Sequence, residues 1–305
     1  MPSEAIGMSS TIMPAASPVP WPWLDRARRF SWLRACVLAA ALAPGLVLLG
    51  LLGAGEMGSE PWKAATREAG THALRLLLVS LAVTPLRFVA AWPRVMTLRR
   101  MLGLVALGYA LLHLVLYAGH LGWNLVEVGS EIVLRFYLTL GFGVLVGLAV
   151  LGWTSTDGWQ RRLGRRWKRL HQGVYLLAGF GVFHAFLQAK ARADQVVVLA
   201  GVFVWLMAWR LLPGRWRADA LALAGLAVAA GVGAAAIEWG WYAAATNLPA
   251  GRILAANRGL DAGLRPARGV MLAGLAVAGL VVARQRFAWP GLLGRRPGGR
   301  VRGDS

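Results

Sequence analysis

Residues 101–119 read MLGLVALGYALLHLVLYAG, an unbroken apolar run without a carboxylate, a lysine or an arginine. Wound as a helix at about 1.5 Å per residue it is about 28 Å long, close to the thickness of a bilayer's hydrocarbon core. Comparable runs at 35–53, 72–90, 132–152, 171–189, 196–212, 220–244 and 269–285 bring the predicted spans to eight. The whole chain has the same character: 57% of its 305 residues are hydrophobic, only 15% are charged, and the mean hydropathy is +0.55. That is more apolar surface than a water-soluble core can hide. A backbone in lipid must satisfy its own N–H and C=O groups, so the sequence predicts an all-α, polytopic transmembrane helix bundle.

The net charge of +20 would point to nucleic acid in a soluble protein. Here the arginines gather in short loops between apolar runs, and positive-inside bias explains them without a nucleic-acid partner. On one side fall Arg26, Arg28, Arg29 and Arg34, then Arg94, Arg99 and Arg100, then the cluster Arg161, Arg162, Arg165, Arg166, Lys168 and Arg169, then Arg215 and Arg217, and the Arg-rich tail after residue 284. The opposite loop from His120 to Glu131 has no Lys or Arg. Both termini are therefore expected in the cytoplasm. The loop 245–268 breaks the pattern, because Arg252, Arg258, Arg265 and Arg268 would face outward. The stretch 153–170 is expected to form a turn and a basic interfacial helix with Trp153, Trp159 and Trp167 at headgroup depth. It serves topology and lipid anchoring, or receives an acidic soluble reductase.

The single cysteine, Cys36, excludes an intrachain disulfide, a CxxC redox pair and a thiolate iron–sulfur site. Of the five histidines, His113 and His184 sit well inside apolar runs, where an imidazole is costly and faces the bundle interior. The third and fifth spans enter from the same side. His113 lies 13 residues beyond Arg100, and His184 lies 13 residues beyond His171, so both rings reach about 20 Å into the bilayer. Two imidazoles at one depth on parallel helices can supply both axial ligands of one haem iron, an arrangement suited to electron transfer. Two buried histidines hydrogen-bonded to backbone or hydroxyl groups are the other reading of the same spacing. Gly108, Gly179 and Gly181 are candidates for making room for a flat macrocycle. His171 lies near the cytoplasmic interface with no histidine at its level on the third span. On an ideal helix it sits about 140° away from His184. Its roles range from an alternative ligand through a flavin or quinone contact to an interfacial anchor. His72 and His120 are placed near the outer ends of their spans and read as structural.

The stretches LAVTPLR at 81–87, RRMLGLVALGYALLHLVLY at 99–117 and TSTDGWQRRLGRRWKRLHQGVYLLAGFGVFHAF at 154–186 resemble MsrQ, the haem-binding membrane subunit family of bacterial methionine-sulfoxide reductase systems, within the ferric reductase-like transmembrane group. The likeness covers about residues 35–212. It implies a six-helix inner-membrane cytochrome that binds haem b, is associated with FMN, and passes electrons from a cytoplasmic flavin reductase or a membrane quinol to a periplasmic molybdopterin-containing catalytic subunit. That partner carries out the sulfoxide chemistry, so no substrate catalysis is expected of this chain. The resemblance implies that the family's haem histidines match His113, His184 and His171.

The expected organisation is a disordered leader and basic segment over 1–34, a six-helix haem-binding core over 35–212, about two additional C-terminal helices over 213–290, and a basic cytoplasmic tail over 291–305. The family pattern does not explain the part beyond 212. Two other classes fit parts of the sequence. One is a ferric reductase-like cytochrome with another acceptor, although no Rossmann glycine pattern follows the last span. The other is a transporter or structural membrane protein without a cofactor.

Overall fold

The computed structural model describes residues 23–24, 29–189, 193–259 and 263–287. Most of the expected leader and the tail from residue 288 lie outside them. Every long element among the described residues is helical, and eight helices are long and apolar enough to cross a membrane. In chain order the elements are α1 (Trp32–Gly53), α2 (Pro61–Val89), α3 (Arg99–His120), α4 (Leu125–Leu134), α5 (Phe136–Trp153) and α6 (Asp157–Leu163). Then follow α7 (Arg165–Gln172), α8 (Val174–Ala189), α9 (Asp194–Leu211), α10 (Ala220–Ala245), α11 (Ala250–Arg258) and α12 (Pro266–Phe287).

Three boundaries differ from the hydropathy reading. Helix α2 starts at Pro61, eleven residues before the apolar run, because proline suits a first helical turn. Ala65 and Ala69 are fully buried in this early part, and the charged Lys63, Arg67 and Glu68 hide it from a hydropathy window. His72 thus sits three turns into α2, with its ring 5.6 Å from that of Tyr109. The run at 132–152 is divided by Arg135, whose extended backbone ends α4 and starts α5. The basic segment is divided as well: Gly164, at φ +49°, separates α6 from α7, in a conformation that glycine adopts without strain.

Helix α2 packs against α3 and α8, and α5 packs against the same two helices, so the four enclose a common interior. Helix α1 lies against α2 and α3. Its own ladder is opened by a side chain: the Tyr109 hydroxyl accepts from Gly45 N–H at 2.6 Å and donates to the Ala41 carbonyl at 3.0 Å, next to Pro44. A Cβ on Gly45 would lie 2.7 Å from that hydroxyl.

A second proline shows why an arginine sits among apolar helices. Pro85 has no N–H for the carbonyl of Leu81, one turn earlier in α2. Arg210 of α9 donates to it at 2.8 Å, bonds Leu206 O as well, and lies over the Tyr175 ring at 4.9 Å. Arg210→Ala should cost about 1–3 kcal/mol by leaving that carbonyl without a partner. In detergent unfolding titrations Pro85→Ala, which restores the helical N–H, should remove most of the loss. Additive effects of the two substitutions would refute the pairing.

Helices α10 and α12 pack on each other and on α9, through small residues that bring the backbones close. A Cβ on Gly201 would meet Val270 at 2.8 Å and one on Gly274 would meet Ala227 at 2.5 Å. Two of the arginines that broke the charge pattern, Arg265 and Arg268, are engaged within this unit. Arg265 pairs with Glu238 of α10 at 2.5 Å, and Arg268 bonds the carbonyls of Ala256 and Gly259.

Candidate functional site

Helices α3 and α8 both start at the Arg-rich end. There Arg100 pairs with Asp157 at 2.8 Å and Trp167 donates to the Thr154 carbonyl at 2.8 Å. The two helices therefore run the same way, and the rings of His113 and His184 come together in the interior of the four-helix unit. Their centroids are 6.3 Å apart and their planes cross at 87°.

Each ring is oriented by a backbone carbonyl of a neighbouring helix. His113 Nδ1 lies 2.7 Å from Thr66 O of α2, and His184 Nδ1 lies 2.8 Å from Tyr137 O of α5. A carbonyl only accepts, so both Nδ1 atoms carry the proton and both Nε2 atoms keep their lone pair. Neither Nε2 has a protein hydrogen-bond partner among the described residues. This is the tautomer a metal-ligating imidazole needs, and the Nδ1–H···O=C bond is the usual outer support of such a ligand. An imidazole nitrogen bonds a first-row metal at about 2 Å and stands about 1 Å from its own ring centre, so two rings sharing one ion are about 6 Å apart. The observed spacing fits. No group of three or more His, Cys, Asp or Glu side chains gathers elsewhere among the described residues. Two ligands suit a metal whose other four bonds come from a macrocycle.

The glycines that admit these rings are not the ones singled out by the sequence. A Cβ on Gly70 would lie 2.8 Å from His113 Nδ1, and one on Gly141 would lie 2.6 Å from His184 Cε1. By contrast nothing stands within 4 Å of a Cβ on Gly108, and Cβ atoms on Gly179 and Gly181 would make ordinary contacts with Phe203 and Leu74. No local signal marks Gly70 or Gly141, because each lies on a different helix from the histidine it faces.

His171 stands apart from the pair. Its ring stacks on Trp167 at 4.0 Å, and its Nδ1 and Nε2 are each 3.2 Å from a carbonyl, of Trp167 and Leu151 respectively. Leu151 is in the last turn of α5 and Tyr137 in the first, so His171 and His184 are about 20 Å apart along that helix. Gly173, between α7 and α8, keeps right-handed helical dihedrals, φ −55° and ψ −20°.

At the other end a polar network borders the pair. Arg135 holds Glu131 through Nε at 2.6 Å and Nη2 at 2.8 Å and donates to the Tyr137 hydroxyl at 3.1 Å. Tyr117, one turn beyond His113, donates to Glu131 at 3.4 Å.

The chain is 43% identical over 173 residues to the protein-methionine-sulfoxide reductase heme-binding subunit MsrQ of Caulobacter vibrioides, a match covering 54% of this chain and 80% of that protein. The chain belongs to the MsrQ family. The family described as ferric reductase like transmembrane component matches residues 69–182, which contain Gly70, His113 and Gly141 and end two residues before His184. No solved structure matches the chain.

Proposed function

We propose that this chain is a haem b-binding membrane subunit that carries electrons through the bilayer of the bacterial inner membrane to a methionine-sulfoxide reductase partner. The observation that carries the reading is the pair His113 and His184, with ring centroids 6.3 Å apart and each Nδ1 bonded to a carbonyl, which leaves each Nε2 without a protein partner among the described residues. The bound haem supplies a one-electron ferric/ferrous couple. Held by both imidazoles, a haem would be suited to electron transfer over oxygen activation. The protein's part is to hold the two rings in register, to exclude water, and to place the pair toward the end opposite the Arg-rich loops.

We place the Arg-rich end and both termini in the cytoplasm, following the basic residues at 94–100, 161–169 and 215–217. The donor there is a cytoplasmic flavin reductase or a membrane quinol, and the basic cluster on α6 and α7 offers it an electrostatic landing. FMN joins the cofactors through the family likeness. The acceptor is a periplasmic molybdopterin-containing catalytic subunit. It meets the chain at the end bearing α4 and the Glu131–Arg135–Tyr137 network, and the sulfoxide chemistry belongs to it. The reading is tested on purified protein by visible spectra before and after dithionite, with pyridine-haemochrome stoichiometry. A low-spin b-type spectrum is expected. Folded, haem-free protein from cells well supplied with haem would overturn the proposal.

A further inference from the structure

The two half-sites are related by a constant step in the sequence. Thr66, Gly70 and His113 become Tyr137, Gly141 and His184 when each number is raised by 71. In both sets the carbonyl and the imidazole that bonds it are 47 residues apart, and the two bonds are 2.7 Å and 2.8 Å. The same step carries Gly108 to Gly179 and the aromatic Tyr109 to the aromatic Phe180. Helices α2 and α3 thus correspond to α5 and α8, two helical hairpins placed side by side with one histidine each. Raised by the same step, Arg100 becomes His171, so the repeat gives His171 no second histidine to pair with.

The geometry explains why each set contains a glycine four residues after its carbonyl. In an α-helix the carbonyl of residue i points toward residue i+4, whose Cβ tilts back toward the N-terminus and lies beside that oxygen. An imidazole lying close against the helix can reach the oxygen where this Cβ is missing. At Gly70 an added Cβ would stand 2.8 Å from His113 Nδ1 and 3.0 Å from its Cε1; at Gly141 it would stand 2.6 Å from His184 Cε1 and 2.8 Å from Nδ1. Either contact is shorter than atoms tolerate, so the ring would have to leave its carbonyl.

We infer that the ligand pair is built by an internal repeat, with Gly70 and Gly141 as its positioning residues: each is a notch that lets an imidazole bond a helix carbonyl and so sets the donor strength of that ligand. This rests on the haem reading proposed above. An imidazole whose Nδ1–H is held by a carbonyl is more basic at Nε2 and favours ferric over ferrous iron. Losing the bond raises the midpoint potential.

The test compares purified wild type with Gly70→Ala, Gly141→Ala and Gly143→Ala, the last on α5 where nothing stands within 4 Å of an added Cβ. Readouts are haem content, redox titration and the low-spin g-values by electron paramagnetic resonance. Gly70→Ala and Gly141→Ala should each shift the ferric/ferrous ratio about tenfold toward ferrous, which is about 59 mV for one electron, and move the g-values. Gly143→Ala should match wild type. Unchanged potentials and g-values in the two notch variants would overturn the inference while leaving the haem reading intact, whereas haem-free wild type would remove both. If neither notch variant folds, proton double-resonance spectra of wild type decide. Two hydrogen-bonded Nδ1 protons that exchange slowly into D2O support the inference, and freely exchanging ones overturn it.

Discussion

Purified His184→Ala protein should lose the low-spin b-type spectrum, and His113→Ala should lose it equally, because either change leaves a shared iron with one imidazole. The other histidines on these four helices are His72, whose ring lies against Tyr109, and His120, the last residue of α3, two turns beyond His113. His171→Ala is the contrasting case. Its two nitrogens already face the carbonyls of Trp167 and Leu151, and it lies at the opposite end of α5, so its loss should leave the spectrum in place. Haem extraction alongside the spectra separates loss of the cofactor from a mere change of spin state. If His184→Ala kept a low-spin spectrum and full haem content, the ligand pair would be wrong. If His171→Ala removed a distinct haem component, a second site would have to be built around Trp167, His171 and Leu151.

The sequence and the structure agree where the physics is local. A span needs about 20 apolar residues, and this requirement is written continuously in the chain, so the eight spans were legible. Where charged residues share a helix with buried alanines, as at Lys63 to Ala69, a hydropathy window misses the start. Where a single extended residue divides an apolar run, as at Arg135, the window joins two helices. The histidine pair was legible because depth follows from counting residues inward from a basic boundary. The notches were not. Gly70 and Gly141 matter only through a ring that arrives from 43 residues further along the chain, and glycine is too common in membrane helices to attract notice.

Glu238→Ala should be the most destabilising change in the C-terminal helices. Glu238 is fully buried near the far end of α10, accepting from Arg265 at 2.5 Å and from Asn257 at 2.6 Å. These two bonds tie α10 to α11 and to the segment entering α12. Removing one member of a buried pair leaves the other charge uncompensated, at a cost of about 3–5 kcal/mol. Arg265 keeps 23% of its side-chain exposure and can turn partly to water, which points to the lower end of that range. Glu238→Gln retains the acceptor for Asn257 but not the charge, and should fall between wild type and Glu238→Ala. The double variant Glu238→Leu/Arg265→Met removes both charges at similar volume and should recover much of the loss, since a buried pair contributes little net stability over a well-packed apolar replacement. Unfolding titrations in detergent micelles, followed by tryptophan fluorescence, read all three. If Glu238→Ala matched wild type, the ion pair would not be what closes this loop. If the double variant were worse than the single one, the pair would contribute specific geometry beyond charge cancellation. The C-terminal helices join the four-helix unit mostly through α9, with a small contact of α12 with α2 and the Trp241 ring of α10 5.0 Å from that of Phe186 on α8, while both imidazoles are held by carbonyls of α2 and α5. The absorbance of Glu238→Ala should therefore remain that of wild type up to the point of unfolding, and an early spectral change would show that the added helices support the haem-binding core directly.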